Sequence, residues 1–112
     1  MINYNGKIFS PIVNNTGSDY WTEALFVFRQ TGNILTSNYS GGNIVRGQML
    51  AIVDDDGSMK MCYHHVTTDL VLFAGSGECH PEILPNGKIV LLQKWKSATS
   101  DMAGGNLIIG EH

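Results

Sequence analysis

Ile44-Val45-Arg46-Gly47-Gln48-Met49-Leu50-Ala51-Ile52-Val53-Asp54-Asp55-Asp56-Gly57-Ser58-Met59-Lys60-Met61-Cys62-Tyr63-His64-His65-Val66 is the stretch on which the fold turns. Two runs suited to strands flank Asp54-Asp55-Asp56-Gly57. β-Branched and aromatic residues fit a pleated surface. An acidic cluster ending in glycine fits a tight turn, because glycine reaches φ > 0 without steric cost. In the second run Met59, Met61, Tyr63 and His65 alternate with Lys60, Cys62 and His64. A period of two puts the first set on one side of a strand and the second on the other. Methionine on the first side implies that this side is enclosed.

The same pattern extends in both directions. Turn signals recur at Asn5-Gly6, Asn14-Asn15-Thr16-Gly17, Thr31-Gly32-Asn33, Ser40-Gly41-Gly42, Pro85-Asn86-Gly87 and Ala103-Gly104-Gly105. The runs between them have strand length rather than helix length. Strands are expected near residues 2–4, 7–13, 20–30, 34–39, 43–53, 59–66, 70–79, 88–97 and 106–110. Thr22 to Gln30 comes nearest to a helical stripe, yet it also places Ala24, Phe26 and Phe28 on one face of a strand. Ser97 to Ala103 allows a helical turn at most, ended by Gly104. Short connections make sequence neighbours sheet neighbours. The expectation is one all-β domain over residues 1–112: an antiparallel meander of about eight strands, closed or nearly closed into a barrel. Closure removes exposed edges, and eight strands leave room for packed side chains or one small ligand.

Composition narrows the function classes. The 112 residues carry 7 basic and 10 acidic side chains, a net charge of -3. The densest basic run is Lys94-Trp95-Lys96. Phosphate neutralisation needs several grouped cations, so neither a nucleic-acid partner nor an anionic membrane surface is expected. The start, Met1-Ile2-Asn3-Tyr4-Asn5-Gly6-Lys7, lacks the features of a secretory signal. No apolar run approaches a membrane-spanning length. Two cysteines, Cys62 and Cys79, are too few for a disulfide scaffold. A cytoplasmic setting is expected, in which Asn14-Asn15-Thr16 and Asn38-Tyr39-Ser40 are chance matches to a glycosylation pattern.

At Tyr39-Ser40-Gly41-Gly42 the chain resembles a family of small bacterial proteins of about this length, whose members often carry the label N-acetylglutamate synthase. Ile2-Asn3-Tyr4-Asn5-Gly6, Gln30-Thr31-Gly32-Asn33-Ile34, Ile44-Val45-x-Gly47 and Val53-Asp54-x-x-Gly57 carry the resemblance. So do Met61-x-Tyr63-x-His65, Pro81-Glu82-Ile83-Leu84-Pro85-Asn86-Gly87 and Lys94-Trp95. The resemblance spans most of the chain and implies a shared fold. It departs at Gln93-Lys94-Trp95-Lys96-Ser97, where the family has Glu-Lys-Trp-x-Trp, and at Thr99-Ser100-Asp101, where it has Ser-Gly-Asp. A site built on those residues is altered here. The label itself implies an acetyl-CoA enzyme. Arg29-Gln30-Thr31-Gly32-Asn33-Ile34 matches the first part of an acyltransferase pyrophosphate loop and fails at Ile34, before a strand instead of a helix. A hairpin turn accounts for it, and no cofactor is expected.

Three groups of residues bear on chemistry. Cys62, His64, His65, Cys79 and His80 include zinc-ligand types. A hairpin turning near Thr67-Thr68 would put Cys62 opposite about residue 73, with Cys79 roughly 20 Å further along. Neither a metal nor a Cys62–Cys79 bridge is expected on that register. Tyr63 and His65 project from one side of a strand and could bind a polar group or move a proton; a hydrogen-bonded histidine near the barrel rim is the structural alternative. Glu82 sits between Pro81 and Ile83, either as a general base held on a turn or in a structural role, capping a turn or pairing with Lys94 or Arg46.

Trp21, Phe26, Phe28, Tyr39, Tyr63 and Trp95 fall on expected strands, mostly as core. The candidate ligand-binding set is Tyr39, Tyr63, His65, Glu82 and Trp95. Gly75-Ser76-Gly77 is not a nucleophile elbow. Asp54-Asp55-Asp56-Gly57 lacks the closing glutamate of a calcium loop and reads as a solvated turn. The leading expectation is a small-ligand-binding barrel, resembling lipocalins or avidins in architecture. The second is a barrel enzyme using His65, Tyr63 and Glu82 for acid–base chemistry. The third is a self-associating interaction protein, for example a homodimer.

Overall fold

A computed structural model describes residues 2–14, 24–98 and 105–112, without the side chains of residues 13 and 14. Eight strands follow one another: β1 (Ile8–Asn14), β2 (Leu25–Thr31), β3 (Ile34–Gly41), β4 (Ile44–Val53), β5 (Met59–Thr67), β6 (Leu72–Ile83), β7 (Ile89–Ser97) and β8 (Gly105–Glu111). Each pairs antiparallel with the next, and β1 closes on β8, so the sheet is a barrel in meander order. No described residue is helical, so none belongs to a helix long and apolar enough to cross a membrane.

The alternation legible in the sequence sorts the side chains. β5 reads buried at Met59, Met61, Tyr63, His65 and Thr67, with Lys60, Cys62 and His64 exposed between them. β2 buries Phe26 and Phe28, β3 buries Leu35, Ser37 and Tyr39, and β7 buries Leu91, Gln93 and Trp95. These side chains fill the lumen, which is the core.

The two ends differ. The β2–β3, β4–β5 and β6–β7 turns share one end with the N-terminal segment. There Tyr4 is fully buried, donates its hydroxyl to the Gly57 carbonyl at 2.6 Å, and lies against Phe9 and Phe28. Leu35, Met59, Leu91 and Ile109 join the core. The β3–β4 and β5–β6 turns lie at the opposite end, called here the mouth, as do the ends of β1, β2, β7 and β8 that flank residues 15–23 and 99–104.

Four expectations change. Residues 2–4 form no strand; the Asn5-Gly6 turn, with Gly6 donating to the Phe28 carbonyl, folds them over the base instead. The β5–β6 register is three residues off: Cys62 pairs with Ser76 and Met59 with Cys79. The connection runs through Leu70, held at φ 62°, so it is longer than a turn at Thr67-Thr68. β6 continues to Ile83 through Pro81, which places Glu82 on a strand and not on a turn. The first four residues expected for the strand over 20–30, Trp21 among them, lie outside the described residues, as do Asn15, Thr16 and 99–103 of the helical turn considered at 97–103.

Candidate functional site

Polar side chains in the lumen gather toward the mouth. Buried polar residues among those described are Ser37, His65, Thr67 and Gln93. Tyr39, Tyr63 and Trp95 surround them. The site is built from glycine-thinned strands. Tyr39 faces Gly47 across β3–β4, and Tyr63 faces Gly75 across β5–β6. A Cβ at Gly47 would strike the Tyr39 ring, and one at Gly75 would strike the Tyr63 hydroxyl and the Lys96 carbonyl. Each large ring thus lies over a backbone that carries no side chain, a use of glycine known in strands.

His65 is the hub. Its Nδ1 is 2.9 Å from the Tyr39 hydroxyl. Its ring stacks on Tyr63 at 5.9 Å and 17°, and meets Phe73 at 5.6 Å. Tyr63 in turn meets Trp95 edge-on at 6.4 Å, and its hydroxyl donates to the Lys96 carbonyl at 3.4 Å. Desolvation, with a lesser push from His64, lowers the His65 pKa from 6.5 to about 4. Burial pushes the Tyr63 phenol up to about 12 and the Tyr39 phenol far above its ordinary value. At neutral pH all three are uncharged.

Below them lies Gln93. Its Nε2 is buried and has no partner at hydrogen-bond geometry among the described residues, the weak sulfur acceptor of Cys79 being the group it faces. The Cys79 thiol, held at about 12 by burial and eased by the Gln93 amide, faces it across β6–β7. Phe26, Tyr39, Met49, Met61, Tyr63, Gln93 and Trp95 enclose a cavity of about 10 Å³, room for about one water. Methionine is unbranched and adaptable, so two of the seven walls can yield to something larger.

The structure brings together four of the five candidate residues, Tyr39, Tyr63, His65 and Trp95. It separates Glu82. His65 pairs with Phe73, and Glu82 is nine residues further along β6, about 30 Å away, exposed near the base. An acid–base set of His65, Tyr63 and Glu82 is therefore not assembled. Glu82 also makes no ion pair among the described residues, with Lys94 and Arg46 included. Cys62 points outward and Cys79 inward, so opposite faces, and not a 20 Å separation, keep them apart. His64 is exposed and contacts Gln48, and His80 pairs on the outer face with Glu78, so the Cys and His residues do not converge.

Gln93, Ser37 and Phe73 were missed in the sequence. Gln93 had a signal: it breaks the inward series Ile89, Leu91, Trp95. A polar residue in an enclosed row carries a burial cost that calls for a partner.

A closed eight-stranded meander with a polar, aromatic mouth defines a class of small barrels whose interior takes packed side chains or one small ligand. The sequence matches the family model described as Avidin-like protein over residues 2–112, and the chain belongs to that family. No curated protein and no solved structure matches it.

Proposed function

We propose that this barrel binds a small, uncharged ligand in the mouth half of its lumen, with a hydrogen-bond acceptor such as a carbonyl directed at Gln93 Nε2. The observation that carries the reading is that amide: a buried donor with no partner at hydrogen-bond geometry and only the Cys79 thiol, a weak sulfur acceptor, across from it, so a carbonyl would satisfy it better. The neutrality of the ligand follows from the walls. No Asp, Glu, Lys or Arg is buried among the described residues, and an ion without a counter-charge is costly to desolvate. Flat apolar faces suit the ligand's body, because Tyr63, His65 and Trp95 present rings. Membership of the Avidin-like family supports a ligand-binding barrel. Catalysis is the weaker reading, since a histidine titrating at about 4 is a poor general base near neutrality.

The experiment is a thermal-shift titration with 2-pyrrolidone, a lactam with one ring carbonyl. Stabilisation that saturates, and that is lost in Gln93→Leu, supports the proposal. Biotin serves as a second probe. With a cavity of about 10 Å³ neither probe enters unless side chains move: the lactam needs Met49 and Met61 to yield, and the larger biotin should need a rearranged Trp95 as well. No stabilisation by either probe would remove the proposal.

A second reading, self-association, draws on the outer face. Ile34 pairs with Ile52 across β3–β4, and Leu50 with Cys62 across β4–β5; all three aliphatic side chains are more than half exposed. Contiguous exposed apolar surface marks interaction sites. Sedimentation of the wild type and of Leu50→Lys tests it: a homodimer dissociated by the substitution supports it, and a monomer refutes it.

A further inference from the structure

The outer face of β5–β8 carries a groove of about 770 Å³, floored by Met61 and Trp95 where Gly77 and Gly105 thin the wall. The register assembles its rim. Lys60 faces Glu78, Glu78 faces Lys94, and Lys94 faces Asn106; one row toward the mouth, Ser76 faces Lys96. All six side chains are exposed. Three of the seven basic residues of a chain with net charge -3 therefore meet in one groove, although Lys60 is far from the other two in sequence. None of the three forms an ion pair among the described residues. Glu78, which sits between Lys60 and Lys94, turns along its own strand to His80, with Oε2 3.8 Å from Nε2. Three ammonium groups thus surround one carboxylate, a net positive charge in the groove.

We propose that this groove binds a small multivalent anion of the diphosphate class between Lys60, Lys94 and Lys96. Two strand spacings separate Lys60 from Lys94, about 10 Å, and Lys94 and Lys96 are about 7 Å apart along β7. Flexible arms can close those spans on one compact anion, and ammonium groups bind phosphate as point charges. Ser76 and Asn106 add neutral donors at the rim. A long nucleic-acid backbone does not fit the same observations. Three cations neutralise too few phosphates, and the rest of the surface is net acidic.

The test is a calorimetric and amide-NMR titration of the full chain with inorganic pyrophosphate at constant ionic strength, with sodium sulfate as the control. Saturable binding is expected, with shifts centred on Lys60, Lys94 and Lys96. Lys94→Gln/Lys96→Gln should weaken it by about tenfold without changing the melting temperature, since both residues are exposed. Glu78→Gln should tighten it, because a carboxylate is removed from the rim. Added salt should weaken it. Co-sedimentation with phosphatidic acid vesicles separates a lipid source from a soluble one. Vesicle binding without pyrophosphate binding would overturn the proposal, as would pyrophosphate binding indifferent to both variants or matched by sulfate. Gln93 does not line this groove, so neither result bears on the lactam response of the Gln93 amide.

Discussion

Acid should destabilise this protein through His65, and the size of the effect follows from its burial. The ring is 3% exposed and titrates at about 4 when folded against 6.5 when unfolded. The folded state therefore binds fewer protons between those values. The stability contributed by a neutral His65 is present above pH 6.5 and is lost as pH falls from 6.5 toward 4. A shift of this size is worth about 3 kcal/mol at 1.36 kcal/mol per pKa unit. For a domain of this length that is roughly 10 °C in Tm. His65→Gln removes the titration and keeps a side-chain oxygen that can accept from the Tyr39 hydroxyl. Urea unfolding of both proteins at intervals from pH 7 to pH 4 gives the difference in slope. The wild type should lose about 3 kcal/mol more than the variant over that range. Parallel acid limbs would show that His65 is not buried as a neutral ring, and the description of the site as uncharged would fail with it.

Three further outcomes are expected. Tyr39→Phe removes the 2.9 Å contact to His65 Nδ1 and should cost about 1 kcal/mol in urea, whereas Glu82→Gln, exposed and distant, should change neither stability nor lactam binding. Gly75→Ala should destabilise by roughly 2–3 kcal/mol, because its Cβ meets a strand carbonyl and the Tyr63 hydroxyl; Gly87→Ala, with φ 84° and open space around it, should cost only about 1 kcal/mol, and a reversed order in thermal unfolding would contradict the packing at Tyr63. A thiol reagent at pH 8 should modify exposed Cys62 quickly and leave Cys79 untouched, since burial pushes that thiol up to about 12; two fast thiols per chain would mean that the β6 interior is open.

The barrel was readable because its signals are local. Asn5-Gly6, Gly32-Asn33, Gly57 and Gly87 mark turns, and period-two alternation marks the inward face of each strand; those glycines have φ between 61° and 87°. What failed depended on chain geometry that no local signal encodes. Leu70 in a left-handed conformation lengthens the β5–β6 connection and moves the register by three residues. Proline is uncommon within a strand, so β6 was expected to end before Pro81. Tyr63 and His65 were found from alternation, and Tyr39 and Trp95 as strand aromatics. Gln93 was passed over because a single polar residue in an apolar row says nothing until the row is known to be closed. The lysine groove was invisible for the opposite reason: Lys60 joins Lys94 and Lys96 only through two strand pairings.

Binding of a neutral ligand in the mouth half of the lumen, as proposed above, rests on the Gln93 amide. The most direct measurement is the side-chain amide resonance of Gln93, assigned by comparison with Gln93→Leu and followed during titration with 2-pyrrolidone. A saturable shift at Gln93 Nε2 accompanied by the Trp95 indole is expected, with the resonances of Asp54, Asp55 and Asp56 on the distant β4–β5 turn unmoved. A Gln93 resonance that stays fixed while the lactam saturates elsewhere, or no saturable shift at all, would contradict it.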